Sequence, residues 1–231
     1  MYEKYLKRIL DFSLSAVALL VLSPILLILL IVGAIVMGGN PIFVQPRPGK
    51  IGKDGKEKIF YLLKLRSMSN RRGEDGELLP DDQRLGKYGA FLRSTSADEL
   101  PSLINIFIGD MALVGPRPQL VRDMTFMSAQ QRRRHTVRPG LTGLAQVNGR
   151  NNITWEQKLN YDLAYIDTGI TFLGDLKILC QTVGKVLKRS DIVREGTVSD
   201  MDFGDWLLQN GEIDESTYAE KQAEAKELLR L

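Results

Sequence analysis

The sequence predicts a mainly α protein with one small β-hairpin, built on an apolar N-terminal membrane element. Three observations carry this. From Phe12 to Met37 no residue is charged, over 26 positions. Beyond Pro101, apolar residues recur at helical spacing, first Leu103, Ile104, Phe107 and Ile108, with Leu100 on the same stripe. Ile42-Phe43-Val44 and Ile59-Phe60-Tyr61-Leu62-Leu63 read as strands around a Gly- and Lys-rich turn. The expected divisions are a membrane element at 1–40, a compact domain at 41–200 and an acidic helical tail at 201–231.

A straight helix over the uncharged run is about 39 Å long, more than the ~30 Å hydrocarbon core of a bilayer. No small-residue cleavage site follows a short apolar core, so it is not a removable signal. Ser23-Pro24 sits at its centre, where proline removes a backbone donor and kinks a helix. Each half is then about 18 Å, too short to cross alone. Lys4, Lys7 and Arg8 precede the segment and Arg47, Lys50 and Lys53 follow it. Basic residues on both flanks favour keeping both ends in the cytoplasm, as a re-entrant hairpin. A single span is equally compatible with these residues, because spanning helices tolerate proline.

One cysteine, Cys180, precludes an internal disulfide, and one histidine, His135, precludes a multi-histidine metal site and argues against a Ser-His-Asp device. The formal charge of +3 is uneven. Residues 210–231 carry a net −3 and residues 1–209 a net +6, which suits an anionic partner such as a phosphate, a nucleotide or a membrane surface.

The remaining chain is organised around Arg93-Ser94-Thr95-Ser96-Ala97-Asp98-Glu99-Leu100-Pro101. Ser96 with Glu99 resembles a capping box, but Pro101 would then fall at the fifth helical position. With Asp98 as the cap, Pro101 falls at the third, where its missing N–H would be unpaired anyway. In either register Asp98 lies in the positive end of the helix dipole, which favours its ionised form. An ionised carboxylate beside a second one, with Arg93 close behind, has the makings of a nucleophile facing a phosphate. Taken as an isolated pair, Asp98 as a cap with Glu99 in the first turn is the commoner arrangement.

After Gly109, prolines on both sides hold the backbone around Arg117 extended, and a rigid guanidinium suits bidentate phosphate binding as well as a solvated turn. Residues 69–87 read as a mixed-charge loop. Arg132-Arg133-Arg134-His135 reads as a solvated or lipid-facing charge run. Residues 138–151 form a long turn-rich connection of the kind that often carries function. Thr154-Trp155-Glu156-Gln157 is a capping box. The helix from Leu173 to Lys188 sets Leu176, Leu179, Val183, Val186 and Leu187 beside Lys177, Lys185, Lys188 and Arg189, fitting either a membrane interface or the core. Residues 212–231 form a weakly amphipathic helix.

Other motifs fail. Asp202-Phe203-Gly204 lacks every other kinase element. Asp200-Met201-Asp202 matches a metal-binding DxD, a pattern common in loops. Neither a GxGxxG after a strand nor a Walker A motif is present.

Taken together, Lys7-Arg8-Ile9-Leu10-Asp11, Ser23-Pro24, Arg47-Pro48-Gly49, Lys64-Leu65-Arg66-Ser67-Met68, Asp98-Glu99-Leu100-Pro101, Gly109-Asp110-Met111, Gly115-Pro116-Arg117-Pro118 and Arg138-Pro139-Gly140-Leu141-Thr142-Gly143 resemble the bacterial sugar transferase family of monotopic polyprenyl-phosphate phosphoglycosyl transferases. The likeness runs from Met1 to about Glu195 and leaves the tail outside. Leu144 stands for a frequent tryptophan and Ile108 for a frequent lysine, departures that bear on acceptor or interface contacts. The resemblance implies a re-entrant membrane helix hairpin broken at Ser23 and Pro24, and a cytoplasmic domain with interfacial amphipathic helices. It places the protein at the bacterial inner membrane.

The implied reaction moves a sugar-1-phosphate from a UDP-sugar to polyprenyl (undecaprenyl) phosphate, releasing UMP, at the start of glycoprotein, capsule, exopolysaccharide or O-antigen assembly. Asp98 and Glu99 are the catalytic dyad this implies. Mg²⁺ is the cofactor, with Asp98 as its ligand. Arg93, Arg117, Arg150, Lys64, Arg66, Pro116 and Pro118 are the substrate-binding candidates. The partners are then the UDP-sugar, polyprenyl phosphate and membrane lipids, with no nucleic acid; self-association into a homo-oligomer is left open. Two rivals stand beside this reading. One is a membrane-anchored glycosyltransferase using Asp200 and Asp202 and releasing UDP. The other is a non-enzymatic membrane-surface adaptor.

Overall fold

A π-helical turn, Tyr2–Leu6, leads directly into α1, Lys7–Met37. Helix α1 is continuous through Pro24, so Ser23 and Pro24 do not end it. Proline has no N–H to offer the carbonyl of Leu20, four residues back; the Ser23 hydroxyl donates to that carbonyl at 2.8 Å instead. Gly38, with φ of +63°, closes the helix in the left-handed region. Most apolar side chains of α1 are exposed, Leu20 at 77% and Ile35 at 75%. Among the described residues, one helical run, Tyr2–Met37, is long and apolar enough to cross a membrane.

The globular part, in a computed structural model that describes residues 1–149, 153–188 and 201–230, packs beside this helix. Strands β1 (Ile42–Ile51) and β2 (Glu57–Leu65) form the expected antiparallel hairpin, longer than its apolar runs alone indicate. Short helices α2 (Asp81–Arg84) and α3 (Lys87–Thr95) follow, then a 3-10 turn, Ala97–Glu99, and α4 (Ser102–Ile108). β3 (Ala112–Val114) pairs in parallel with β4 (Gly140–Thr142), a sheet too short to announce itself in periodicity. Between these strands lie α5 (Val121–Phe126), α6 (Ala129–Arg132) and a 3-10 turn, Arg133–Thr136. α7 (Leu144–Val147), α8 (Trp155–Asp167), α9 (Phe172–Lys188), α10 (Phe203–Gln209) and α11 (Glu215–Leu228) complete the chain. The capping box at Thr154 and Gln157 starts α8 as expected.

Both halves of α1 touch the globular part. In the first half, Lys7 pairs with Asp175 of α9 at 2.5 Å, and Arg8 donates to the carbonyls of Ile106 and Phe107, both at 2.7 Å. Those carbonyls end α4, so Arg8 supplies donors and positive charge where the helix needs them. Ala18, Leu19 and Leu22 then pack on the cluster of Phe60, Leu62, Leu103, Ile106 and Met111. Beyond Pro24, the Tyr88 hydroxyl donates to the Leu29 carbonyl at 2.7 Å.

Two expectations are corrected. Ser96 does not cap α4; it ends α3 with φ of +56°, and neither Asp98 nor Ser96 makes a capping bond. The dyad occupies the 3-10 turn, and Pro101 stands at the start of α4 itself. Arg134 and His135 are buried rather than solvated, because Asp162 and Glu57 lie against them. The acidic tail, for its part, buries Phe203 and Leu207 against Met127, Trp155 and Leu159. In α9, Ile178 enters the core while Leu176 and Val183 are exposed, so the helix serves both surfaces.

Candidate active site

β2 has one edge paired with β1 and the other facing α4. Two buried side chains of α4 satisfy that second edge. Ser102 donates to the Leu63 carbonyl at 2.8 Å; Asn105 donates to the Tyr61 carbonyl at 2.8 Å and accepts from the Leu63 N–H at 3.0 Å. Pairing these three backbone groups fixes the register of helix against strand. It sets Lys64, the next residue of β2, against the turn that begins α4.

Lys64 Nζ lies 2.9 Å from Glu99 Oε1 and 3.8 Å from Asp98 Oδ2. Arg117 donates to the same Glu99 oxygen at 2.9 Å. Burial pushes the Glu99 carboxyl up, but Lys64 and Arg117 outweigh it and hold the group well below the ordinary range. Asp98 moves the other way. Burial raises its carboxyl, and the charge of Glu99 reinforces that rise against the opposing pull of Lys64. The dyad is thus one clamped carboxylate, held below its ordinary range by Lys64 and Arg117, beside one that is more basic than usual.

Arg117 is placed by the β3–β4 pair. Gly115 and Gly140 let their two loops approach closely: a Cβ on Gly140 would lie 2.1 Å from the Gly115 nitrogen. Behind Arg117, Arg134 donates to its carbonyl at 2.6 Å and to Asp162 Oδ2 at 2.6 Å and 3.0 Å. Arg134 and Asp162 are both fully buried, so this pair holds the Arg117 loop from inside.

The dyad opens into a cleft of about 880 Å³, within the size range of small-molecule sites. Of the substrate-binding candidates, Lys64, Arg66, Arg93, Arg117 and Pro118 line it. Arg66, however, spends its guanidinium on the Asn40 carbonyl at 2.9 Å and on Asn70 at 2.8 Å. Arg93 is held by Ser67 at 3.1 Å, and its charge acts on Asp98. Pro116 is buried in the loop, its carbonyl accepting from the Gly140 N–H at 2.9 Å. Arg150 lies outside the described residues, as does Asp200.

Four lining residues were not among the site candidates from the sequence, Arg47, Arg122, Trp155 and Met201; Asp202, which also lines the cleft, was one only as part of a weak metal motif. Arg47 donates to the Pro118 carbonyl at 3.2 Å, and its buried Nε has no hydrogen-bond partner. Burial, with the nearby charge of Arg117, lowers that guanidinium to about 10.

Among the described residues, no three His, Cys, Asp or Glu side chains group as a metal cage. Mg²⁺ does not require one, since it binds through one or two carboxylates plus water and substrate phosphates. Asp98 in a cleft rich in anion-binding groups fits that mode.

The bacterial sugar transferase family model matches residues 2–189, spanning the dyad and everything that holds it. An uncharacterized sugar transferase of Bacillus subtilis, EpsL, is 44% identical, aligned over 84% of this chain and 93% of its own. The UDP-glucose:undecaprenyl-phosphate glucose-1-phosphate transferase of Klebsiella pneumoniae is 40% identical over 78% of this chain and 39% of its own. The UDP-galactose-lipid carrier transferase of Erwinia amylovora is 32% identical over 81% of this chain and 41% of its own. The chain spans about two fifths of these last two relatives. The family match and these relatives support a phosphoglycosyl transferase enzyme. The chain belongs to the bacterial sugar transferase family.

Proposed function

We propose that this protein transfers a sugar-1-phosphate from a UDP-sugar to polyprenyl phosphate at the bacterial inner membrane, its globular part facing the cytoplasm. The observation that carries the proposal is the asymmetry of the dyad, with Glu99 clamped by Lys64 and Arg117 while Asp98 lines the cleft as the more basic carboxylate. In the first step an Asp98 carboxylate oxygen attacks the sugar-linked phosphorus. The bond from that phosphorus to the bridging oxygen breaks, and UMP leaves with the electron pair. In the second step an oxygen of polyprenyl phosphate attacks the same phosphorus and the acyl-phosphate bond breaks, restoring Asp98. Lys64, Arg93 and Arg117 offset the charge of the diphosphate, and Arg47 extends that row. Mg²⁺, held by Asp98 and the substrate phosphates, would supply further neutralisation of that charge.

The arrangement of α1 supports re-entry. Arg8 and Tyr88 contact α1 on opposite sides of Ser23-Pro24, and one globular domain reaches both. An exposed apolar surface runs on from α1 onto α4 and α9, where Phe12 stacks on Phe107 with ring centres 4.7 Å apart. Leu173 of α9 is 73% exposed. A surface of this kind suits contact with lipid, which would bring the cleft to the level of a lipid phosphate.

The test is isotope exchange. Purified protein freed of bound polyprenyl phosphate, given Mg²⁺, the right UDP-sugar and labelled UMP, should place label in the UDP-sugar with no lipid acceptor present. Asp98→Asn should abolish the exchange while the protein stays folded, since Asp98 makes no capping bond. Full turnover on adding lipid, with no exchange before it, would replace the covalent route by direct attack of the lipid phosphate. Release of UDP instead of UMP would overturn the proposal.

A further inference from the structure

The family match ends at residue 189, yet the cleft does not. Met201 and Asp202, from the segment that follows, line it together with Trp155 and Arg122. The segment is firmly attached. The Trp155 indole donates to the Met201 carbonyl at 2.9 Å, and the Phe203 N–H donates to Asp123 at 2.9 Å. Asp202 itself forms an ion pair with Arg122. A continuous row joins this end of the cleft to the dyad: Glu99 bonds to Arg117, Arg47 bonds to the carbonyl of Pro118, and the charges of Asp123, Asp202 and Arg122 act on Arg47.

We infer that Asp202 and Arg122 form the subsite for the sugar of the donor, so that the C-terminal segment is a specificity element of the enzyme. This rests on the proposed function. The row begins with cations against the dyad, which suits the diphosphate, and ends with a carboxylate beside a guanidinium. A paired carboxylate and guanidinium set acceptors and donors side by side, the array that neighbouring hydroxyls satisfy. The same carboxylate repels a phosphate. Trp155 and Met201 add an apolar wall of the sort that covers the face of a hexose ring. The sugar is also the part of the donor that differs among relatives, named for UDP-glucose and UDP-galactose. Glucose and galactose differ in the orientation of one hydroxyl, and a site discriminates at that level only through polar groups placed at the hydroxyl.

The experiment measures UMP release by wild type, Asp202→Ala, Asp202→Asn and Arg122→Ala with UDP-glucose, UDP-galactose and UDP-N-acetylglucosamine, and inhibition of each protein by UMP. Asp202→Ala should raise KM for the preferred donor about tenfold, the loss expected for a charged hydrogen bond, with a smaller fall in kcat. The ratio of kcat/KM between the two hexose epimers should shift by a similar factor, and inhibition by UMP, which lacks the sugar, should stay within about twofold. Asp202→Asn, which keeps an acceptor, should recover part of the loss. Arg122 is half exposed, so Arg122→Ala should fold and shift the same ratio even if the Asp202 variants do not fold. An equal loss on every donor would overturn the inference, as would UMP inhibition weakening in step with KM, which would assign the subsite to the nucleotide. No UMP release by wild type from any donor would instead remove the proposed function, and this inference with it.

Discussion

Glu99 and Arg117, eighteen residues apart, share a 2.9 Å charge-assisted hydrogen bond, and the Arg117 carbonyl is itself held by Arg134. The buried Arg134–Asp162 pair therefore reaches the dyad through one residue. Arg117 fixes Glu99 from the cleft side as Lys64 does from β2. Neither carboxylate of the dyad can be understood without the loop between β3 and α5.

Arg117→Ala should leave Glu99 with Lys64 alone and remove a donor from the phosphate site. UMP release should fall about 10²- to 10³-fold, the cost of losing a donor aimed at developing charge. Arg117→Lys should recover little, because a single ammonium does not reproduce the planar fork. Steady-state rates within threefold of wild type for Arg117→Ala would remove Arg117 from the machinery.

Asp162→Ala should be strongly destabilising. Burial pushes the Asp162 carboxyl above the ordinary range despite Arg134, and its Oδ1 has no hydrogen-bond partner. The pair is therefore poorly suited as a net stabiliser, but breaking it strands a buried guanidinium at a cost of about 3–5 kcal/mol. For a domain of this size that is a fall in melting temperature of about 6–20 °C. A shift below about 3 °C would show that Arg134 finds water or another partner.

What the sequence disclosed and what it hid divide along physical lines. The β1–β2 hairpin, the α8 capping box and the helix α4 are written in local periodicity and spacing, and they stand in the structure, although of the α4 stripe Leu103 is buried while Ile104, Phe107 and Ile108 are exposed. Asp98, Glu99, Lys64, Arg93 and Arg117 were readable as a set only through their resemblance to a family, since a carboxylate pair before a helix is ordinary by itself. The β3–β4 pair spans three residues per strand and has no period to read. Arg134 and His135 looked solvated because their partners, Asp162 and Glu57, are 28 and 78 residues away. Asp202 was visible only as a weak metal motif; its neighbour Arg122 comes from another helix.

Stability should fall with acid in a window set by His135. Its ring is buried, with Nδ1 3.1 Å from Glu57 and Nε2 3.4 Å from Arg134. Burial lowers it to about 4, an effect Glu57 resists, so the folded protein holds it neutral where the unfolded chain protonates it near 6.5. Between those values the unfolded state binds more protons, so stability rises with pH and is lost as pH falls from about 6.5 to about 4. The full change is on the order of 3 kcal/mol. Melting temperature measured from pH 7 to 4.5 should show this slope, and His135→Gln should flatten it. An unchanged slope in the variant would assign the acid sensitivity to other groups.

The last prediction concerns α1. Lys7 and Arg8 bind α9 and α4 before Ser23-Pro24, and Leu29 binds Tyr88 after it. A domain on one side of the membrane can hold both halves only if both ends of the helix stay on that side. A cysteine at position 2 or 4, in a Cys180→Ser background, should therefore react with membrane-impermeant thiol reagents only after cells are opened. Pro24→Ala restores the N–H that the Leu20 carbonyl lacks and favours a straighter, longer helix, so some molecules should then label from outside. Tyr88→Phe removes the one hydroxyl that grips Leu29 and should add to that fraction. Labelling of the unsubstituted helix from outside intact cells would establish a spanning topology, and the contacts on one side of Pro24 would then have to open in the membrane.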